Sequence, residues 1–220
     1  ALAAETEGIR LGVMVKLPLE HPVKTAEDAS VIDLMSNGRL LFGADPGASG
    51  IEFSGYSVTE AEGWERFVEA LDIVVRAWTS DGFAYLGKFH TLPKLTRASS
   101  VGGSPYVPEP YVAPYVDPWR RVDEPFDYMS VLPKPAQIPH PPVFIMAVDD
   151  DAAALAARKG YSPVYGADAE AKDVAARANG FWQELEAAGR DRSEVCLTVV
   201  RDISLADSGD VDGVLHGLKQ

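Results

Sequence analysis

The chain is poor in the residues from which disulfides and metal sites are built. It has one cysteine, Cys196, so no disulfide can form within it. Its four histidines do not stand at the spacings of metal-ligand pairs. They are His21, His90, His140 and His216. We therefore expect neither a disulfide nor a zinc site, and a cytoplasmic protein is the simplest expectation.

Long apolar runs and an excess of positive charge are also missing. No run approaches the roughly 18 apolar residues of a membrane-spanning helix. Glu5, Glu7 and Arg10 interrupt the only segment that could resemble a signal peptide. The 33 acidic and 20 basic residues give a formal net charge of −13. This charge argues against nucleic acid and against an anionic membrane surface as partners.

What the sequence does contain is a regular alternation of strand and helix patterns. Apolar runs typical of strands buried on both faces occupy residues 9–17, 39–44, 143–148, 161–165 and 195–200. Helical patterns occupy residues 22–36, 59–80, 149–159 and 168–188. This alternation predicts an α/β fold with a parallel sheet, either open or closed into a barrel. The 220 residues are enough to bury one core, so we expect a single domain.

Residues 96–132 differ from the rest of the chain because they are rich in proline and tyrosine and show no apolar periodicity. A long irregular segment in a compact domain is usually a lid, a binding loop or a disordered stretch. Trp119, Phe126 and the tyrosines offer surface that can pack. We therefore expect an ordered, lid-like insertion over the domain.

Two glycine-containing segments resemble phosphate-binding loops without completing the pattern. Gly82 to Lys88 has most of the P-loop spacing, but Phe89 follows where serine or threonine would hold magnesium. A helix precedes this segment, whereas a P-loop follows a buried strand. The loop from Gly43 to Gly50 lacks the Gly-x-Gly-x-x-Gly spacing of dinucleotide-binding folds. The first segment is therefore not predicted to bind phosphate, and the second does not support a classical dinucleotide-binding fold.

Two further features each allow a structural and a functional interpretation. Asp149, Asp150 and Asp151 could suggest a metal site, but acidic residues at the start of a helix more often cap its free N–H groups. His21 follows the first buried strand, directly before Pro22. It is either a residue at the start of a helix, which we slightly favour, or a catalytic group at the carboxyl end of that strand.

Several motifs, in order along the chain, resemble the bacterial luciferase-like flavin-dependent monooxygenases. They are Leu17-Pro18-Leu19-Glu20-His21-Pro22, Leu34-Met35-Ser36-Asn37-Gly38-Arg39-Leu40, Phe42-Gly43, Tyr85-Leu86-Gly87-Lys88-Phe89 and Pro133-Lys134-Pro135-Ala136-Gln137. The resemblance is strong over about residues 9–165 and looser beyond them. It implies a (β/α)₈ barrel of TIM type. It also implies that reduced FMN, or the deazaflavin F420 in one branch, binds at the carboxyl ends of the strands.

The resemblance also implies where the cofactor would bind. The flavin ring would lie near Val13 and Met14, where many family members have a non-proline cis peptide bond. The remaining positions on the cofactor side would be Asp45, Gly47, Ala147 and Asp149. His21 is the residue that matches a proton-transfer role.

The chain departs from the family pattern in three places. It begins at what resembles the third strand and ends after the seventh, so about five of eight strands are expected and the barrel would be incomplete. Pro46 stands where the family commonly has an arginine that holds the flavin phosphate. Asp149 stands where a serine usually binds it. A carboxylate close to a phosphate would cost on the order of one to a few kcal/mol.

The resemblance leaves two hypotheses about function. The first is a luciferase-like oxidoreductase that oxidises a small organic substrate with O₂ and reduced flavin, which a flavin reductase would supply. The second is a non-catalytic, truncated barrel that binds a ligand or a partner chain without flavin. A homodimer is a further expectation from the family. Because the sequence begins with Ala1, we also expect a processed chain or a fragment of a longer one.

Overall fold

A computed structural model describes residues 1–47, 50–93, 128–167 and 169–201. The chain divides into two compact units, Ala1–Ile145 and Met146–Gln220. The single domain expected from chain length stays a prediction. The expected lid of residues 96–132 lies outside the described residues except for its last five, 128–132.

Helices and strands alternate along the first unit. In chain order they are α1 (Leu2–Glu5), β1 (Leu11–Lys16), a 3₁₀ turn (Leu17–Leu19), α2 (Pro22–Met35), β2 (Leu40–Asp45), α3 (Gly50–Gly55), α4 (Glu60–Thr79), β3 (Tyr85–Leu86), β4 (Thr91–Leu92) and β5 (Val143–Met146). Strands β1, β2 and β5 pair in that order and all run parallel. Strands β3 and β4 form a separate antiparallel hairpin. The parallel pairing confirms the α/β prediction.

The second unit continues the alternation with shorter strands. Its elements are α5 (Asp150–Lys159), β6 (Ser162–Tyr165), α6 (Ala171–Ala187), a 3₁₀ turn (Arg192–Glu194) and β7 (Thr198–Val199). Strands β6 and β7 are parallel. The strand predicted at residues 195–200 is therefore only two residues long. Gly160 ends α5 at a φ of +72°, a left-handed conformation that glycine adopts without strain.

The two faces of the β1–β2 pair differ in how well they are covered. Phe42 and Ala44 are fully buried, and the ring of Trp78 on α4 meets the Phe42 ring edge-on at 5.0 Å between centroids. On the opposite face, Met14 is 44% exposed and Gly12 is exposed. The prediction that the first strand is buried on both faces is therefore wrong. On the face that packs against α4, the residues of β2 are fully buried, whereas those of β1 are only partly buried.

Helix α2 buries small and polar side chains and exposes several apolar ones. The apolar spacing of the sequence predicts one buried face, formed by Val23, Ala26, Ala29, Ile32 or Asp33, and Met35. Ala26, Ala29 and Asp33 are buried, but Met35 is 58% exposed. Close packing explains the small residues, because the Trp78 indole N–H donates to the backbone oxygen of Ala26 at 3.0 Å. The apolar pattern therefore predicts the position of the helix correctly, but its prediction that Met35 is buried is wrong.

The buried carboxylate of Asp33 connects three segments of the first unit. Oδ1 accepts hydrogen bonds from the Gln137 side-chain amide at 2.8 Å and from the Leu40 backbone N–H at 3.3 Å. Oδ2 accepts from the Gln137 backbone N–H at 2.9 Å. The Gln137 amide also donates to the Leu40 oxygen at 2.9 Å. These bonds satisfy a charge that would otherwise be costly to bury.

Among the described residues, no helix has both the length and the apolarity that crossing a membrane requires.

We expect Asp33→Ala to lower the free energy of unfolding by about 3 kcal/mol, because it leaves buried donors unpaired. Urea denaturation measures this change. Asp28→Ala is the control on the same helix. It removes an exposed ion pair with Lys24 and should cost less than about 1 kcal/mol. Equal effects of the two substitutions would contradict the role given to Asp33.

Candidate functional site

The carboxyl ends of β1 and β2 bring together the site residues predicted in the first unit. The parallel register pairs Met14 with Gly43 and Lys16 with Asp45. Val13 therefore lies beside Phe42, one position before Met14. Gly47 follows two residues after the end of β2. Four of the predicted positions, Val13, Met14, Asp45 and Gly47, thus lie on two neighbouring strands or directly after them.

The Val13–Met14 peptide bond is not cis, so the cis bond expected from the resemblance is not found. The cis bonds of the described residues all precede proline, at Leu92–Pro93, Leu132–Pro133 and Ile138–Pro139. Strand β1 pairs with β2 at every position from Leu11 to Lys16. The backbone at Val13 and Met14 is therefore that of a regular strand.

Gly43 makes room for the side chain of Met14. A Cβ atom at Gly43 would lie 2.5 Å from the Val13 backbone oxygen and 2.8 Å from the Met14 sulfur. The Met14 thioether therefore lies over the glycine on the less covered face of the sheet, where it is 44% exposed. A flexible, polarisable and exposed side chain at this place suits contact with a flat organic ligand.

Lys16 and Glu52 form an ion pair at the end of β1 that the sequence did not reveal. Their side chains are 41% and 36% exposed, respectively. The hydrogen bond from Lys16 to Glu52, helped by the charges of Glu52 and Asp45, raises the pKa of the Lys16 amine above its ordinary value. Lys16 therefore stays a cation at neutral pH. Its place as the last residue of β1 was the available signal, because the carboxyl ends of parallel strands commonly carry site residues.

Asp45 shapes the loop after β2. Its Oδ1 accepts a hydrogen bond from the Gly47 backbone N–H at 2.8 Å, which is an Asx-type turn. Gly47 has a φ of +77°, and a Cβ atom there would lie 2.9 Å from the Phe53 ring. Glycine is therefore required at this position for both conformation and space.

His21 precedes α2 as its N-cap residue, yet its side chain makes no capping hydrogen bond. The exposed ring meets the ring of His90 at 5.8 Å between centroids, with the two planes 86° apart. Sequence spacing gave no sign of this pair, because His90 lies in the hairpin of β3 and β4. The structure confirms that His21 stands at the start of a helix, and its catalytic role stays a prediction.

Glu69 of α4 holds the loop between β3 and β4. Its carboxylate accepts hydrogen bonds from the backbone N–H groups of Lys88 at 2.8 Å, Phe89 at 3.1 Å and His90 at 2.6 Å. The His90 ring also donates to it from Nδ1 at 2.9 Å. A Cβ atom at Gly87 would clash with the same carboxylate. The segment with P-loop spacing therefore binds the protein's own carboxylate.

The environment of Glu69 favours its ionised form. Burial alone would raise the pKa of this carboxyl, since the residue is only 8% exposed. The hydrogen bonds donated by Phe89, His90 and Lys88 outweigh the burial and hold the pKa below its ordinary value. Glu69 gives no signal in the sequence because it falls among apolar residues on a helix whose pattern already indicates a buried face.

In the second unit, the two predicted site residues are engaged with neighbouring protein atoms. Asp149 caps α5, where its Oδ1 accepts a hydrogen bond from the Ala152 backbone N–H at 2.8 Å. This confirms the capping interpretation for Asp149, while Asp150 and Asp151 lie in the first turn of the helix. Ala147 is 2% exposed; its N–H donates to the Val164 oxygen at 2.8 Å, and its oxygen accepts from the Arg177 guanidinium. The cofactor role of both residues stays a prediction.

The two units differ in how well their residues suit a flavin. In the first unit, the Lys16 ammonium and the Asp45 carboxylate offer a donor and an acceptor. The pyrimidine edge of a flavin presents carbonyl oxygens and an N–H, so this set fits the ring. In the second unit, Asp149 is followed by two more aspartates, and Arg177 lies 3.5 Å from Asp150. This acidic set does not fit a phosphate.

Metal binding has no support in the described parts of the chain, where no three histidine, cysteine, aspartate or glutamate side chains cluster.

We expect Glu69→Gln to lower the free energy of unfolding by about 2 kcal/mol at pH 7, because a neutral amide cannot accept all of these hydrogen bonds. The folded-state pKa of Glu69 is depressed, so its contribution is present above the unfolded value and lost as pH falls through the folded value. The difference between the variant and the parent should therefore shrink below about pH 4.

Urea denaturation at pH 7 and pH 3.5 measures this dependence. Glu65→Gln is the matched control on the same helix, because Glu65 forms an exposed ion pair with Lys88. A Glu69→Gln effect that stays constant with pH would show that the charge of Glu69 is not what stabilises the loop.

Comparison with known proteins agrees with the geometry. The sequence profile of the family described as "Luciferase-like monooxygenase" matches residues 1–211. A curated relative is the oxygenase component of the flavin-dependent trigonelline monooxygenase of Acinetobacter baylyi. It is 26% identical over 215 residues, which cover 94% of this chain and 49% of the relative. The chain therefore spans about half the length of that protein.

Solved structures show the same fold. The monooxygenase RslO1 from Streptomyces bottropensis superposes with a TM-score of 0.75 at 23% identity, over 98% of this chain and 56% of that one. The oxygenating component of 3,6-diketocamphane monooxygenase from Pseudomonas putida, solved with FMN, gives a TM-score of 0.64 at 17% identity. That match covers 89% of this chain and 49% of the other.

These likenesses confirm the prediction of a TIM-type α/β barrel that is incomplete. Five parallel strands are present in the described residues, where a closed barrel of this type has eight. The family profile extends over nearly the whole sequence, and the motifs that suggested it lie on the elements just described. The chain belongs to the luciferase-like monooxygenase family.

Proposed function

We propose that this protein is a flavin-dependent oxidoreductase that oxidises a small organic substrate with O₂ and reduced flavin. The observation that carries the proposal is the group formed by Met14, Lys16 and Asp45 at the carboxyl ends of β1 and β2. It combines an exposed thioether, a cation and an acceptor on neighbouring strands, which is a set suited to a flavin ring. The relative from Acinetobacter baylyi is itself flavin-dependent.

Each residue of this group has a distinct part in the proposal. Met14 provides apolar contact for the ring. Lys16 donates to a carbonyl oxygen of the ring, and its positive charge favours the anionic, reduced state of a flavin. Asp45 holds the loop through Gly47. His21 is the group that takes up or delivers a proton, because its exposed ring makes no capping bond.

The cofactor of the proposal is FMN or the deazaflavin F420. When bound, reduced FMN supplies the electrons that activate O₂, and the protein contributes binding, orientation and exclusion of water. A separate flavin reductase would deliver the reduced form. A homodimer remains part of the proposal through family resemblance.

The family resemblance, which assigns the position of Asp149 to the flavin phosphate, leads us to propose that binding depends on the flavin ring more than on its phosphate. Asp149, Asp150 and Asp151 place three carboxylates within one helical turn. A phosphate dianion would be repelled there, at a cost on the order of one to a few kcal/mol. The charge pattern thus favours a site that distinguishes poorly between flavins with and without phosphate.

We expect FMN and riboflavin to bind with dissociation constants that agree within about threefold, because the phosphate adds little. Quenching of flavin fluorescence during titration measures both constants, and F420 is titrated in parallel. Lys16→Met should weaken FMN and riboflavin binding alike by about tenfold, which is about 1.4 kcal/mol.

Lys24→Met is the matched control, because Lys24 also forms an exposed ion pair with a carboxylate, that of Asp28. FMN binding at least tenfold tighter than riboflavin would contradict the ring-dominated site. Failure of all three compounds to bind at high micromolar concentration would contradict the proposed function.

We also expect Asp149→Ser to tighten FMN binding severalfold relative to riboflavin. Serine caps a helix about as well as aspartate, so α5 should remain intact while one negative charge is removed. The same titration measures the ratio of the two constants. Asp151→Ser removes another of the three charges without touching the cap, so it should shift the ratio in the same direction by a smaller amount. An unchanged ratio in Asp149→Ser would show that the phosphate does not approach Asp149.

The alternative is a non-catalytic relative that binds a ligand or a partner chain without flavin. The acidic start of α5 also favours this alternative. Negative charges that disfavour phosphate binding would be tolerated in a protein that does not bind a flavin phosphate. The titration distinguishes the two functions, since the alternative requires that neither FMN, riboflavin nor F420 binds.

A further inference from the structure

Glu69 does more than anchor the loop between β3 and β4, because one of its hydrogen bonds fixes an imidazole. Three backbone N–H groups already satisfy the carboxylate, at 2.6–3.1 Å. The fourth donor is Nδ1 of His90, at 2.9 Å from Oε1. An ionised carboxylate only accepts, so Nδ1 carries the hydrogen and Nε2 is the acceptor of the neutral ring. The bond therefore sets both the orientation and the tautomer of His90.

The fixed ring of His90 is in contact with one other imidazole, that of His21. The centroids are 5.8 Å apart and the planes are nearly perpendicular, so the edge of one ring meets the face of the other. This arrangement is favourable for aromatic rings. The side chain of His90 is only 16% exposed, whereas the His21 residue is exposed. The His90 ring, which is held by Glu69, thus packs against the solvent-exposed ring of His21.

The contact with His90 matters for the orientation of the His21 ring, because the surroundings of His21 at the start of α2 do little to fix it. It stands before Pro22 with an extended backbone, and its side chain makes no bond to the start of α2. An exposed imidazole with two free torsions samples several rotamers. Proton transfer requires one orientation held within a fraction of an ångström, and misplacement by about 1 Å can cost roughly a hundredfold in rate.

We propose that His90, held by Glu69, is a positioning residue for His21, whose ring it confines to one orientation at the carboxyl end of β1. The proposal rests on the proton-transfer role given to His21 under the proposed function. His90 itself contacts neither cofactor nor substrate in this account. The ring pair joins the hairpin of β3 and β4 to the start of α2.

Two substitutions at His90 separate the ring contact from the loop anchor. His90→Asn keeps an N–H donor close to the place of Nδ1, so the bond to Glu69 is retained while the ring contact is lost. His90→Phe keeps a ring against His21 and loses the bond. The full chain is used throughout. Urea denaturation checks that each variant is folded, and His21→Ala identifies the His21 signals.

The first readout is the order parameter of the His21 ring, from ¹³C relaxation of its Cε1–H group. We expect His90→Asn to lower it from the range of a rigid group to that of a flexible side chain. His90→Phe should restore it only in part, because its ring packs against His21 without being held by Glu69. This readout needs neither flavin nor activity. Equal order parameters of the His21 ring in His90→Asn and in the parent would overturn the proposal.

The second readout is the rate at which protein-bound reduced FMN is reoxidised by O₂, followed by stopped-flow absorbance. We expect His90→Asn to slow it about tenfold and to have no further effect in the His21→Ala background, because both changes remove one function. Equal slowing in both backgrounds would also overturn the proposal. If His21→Ala alone has no effect, the proton-transfer role of His21 fails, while the relaxation experiment still decides whether His90 positions the ring.

Discussion

The first unit depends on a buried carboxylate that forms no ion pair with any residue that the structure describes. Asp33 is fully buried, and it is satisfied by two donors of Gln137 and one of Leu40, although Gln137 lies 104 residues further along the chain. An unpaired buried carboxylate would cost several kcal/mol, so the fold requires the segment around Gln137 to return to the start of β2. That return places Pro142 where its oxygen accepts from Phe42 at 2.9 Å, directly before β5 pairs with β2.

A second buried carboxylate organises the site side of the unit by the same means. Glu69 gathers three backbone amides of the loop that has P-loop spacing, and so an intramolecular anion takes the place that a phosphate would take in a nucleotide-binding protein. The loop is then fixed relative to α4, and His90 is fixed with it. Asp33 and Glu69 each hold segments that are distant in the sequence in fixed positions, because a carboxylate oxygen accepts several hydrogen bonds at once.

The sequence predicted the features that depend on neighbours along the chain. The start of α2 at Pro22, the cap of α5 at Asp149 and its end at Gly160 follow from residue types at fixed offsets, and the structure has all three. The pairs that depend on distant residues could not be predicted from spacing. Lys16 with Glu52 and His21 with His90 meet only once the sheet and hairpin have formed. Met35 was misassigned for a related reason. Helix α2 packs through small residues and Asp33, so apolar periodicity alone pointed to the wrong face at its end.

The start of α5 shows how stability and ligand binding can compete for the same atoms. A helix N-terminus has free N–H groups and a positive dipole end, and either a bound phosphate or a side-chain carboxylate satisfies both. Asp149 accepts from the Ala152 N–H, and Asp150 and Asp151 add negative charge in the first turn. This stabilises the helix, since acidic residues there are favourable by about 0.3–1 kcal/mol each. The same arrangement fills the place in which an anion would bind. The contacts at the ends of β1 and β2 involve none of these atoms, so the part proposed for Met14 and Lys16 does not depend on the helix cap.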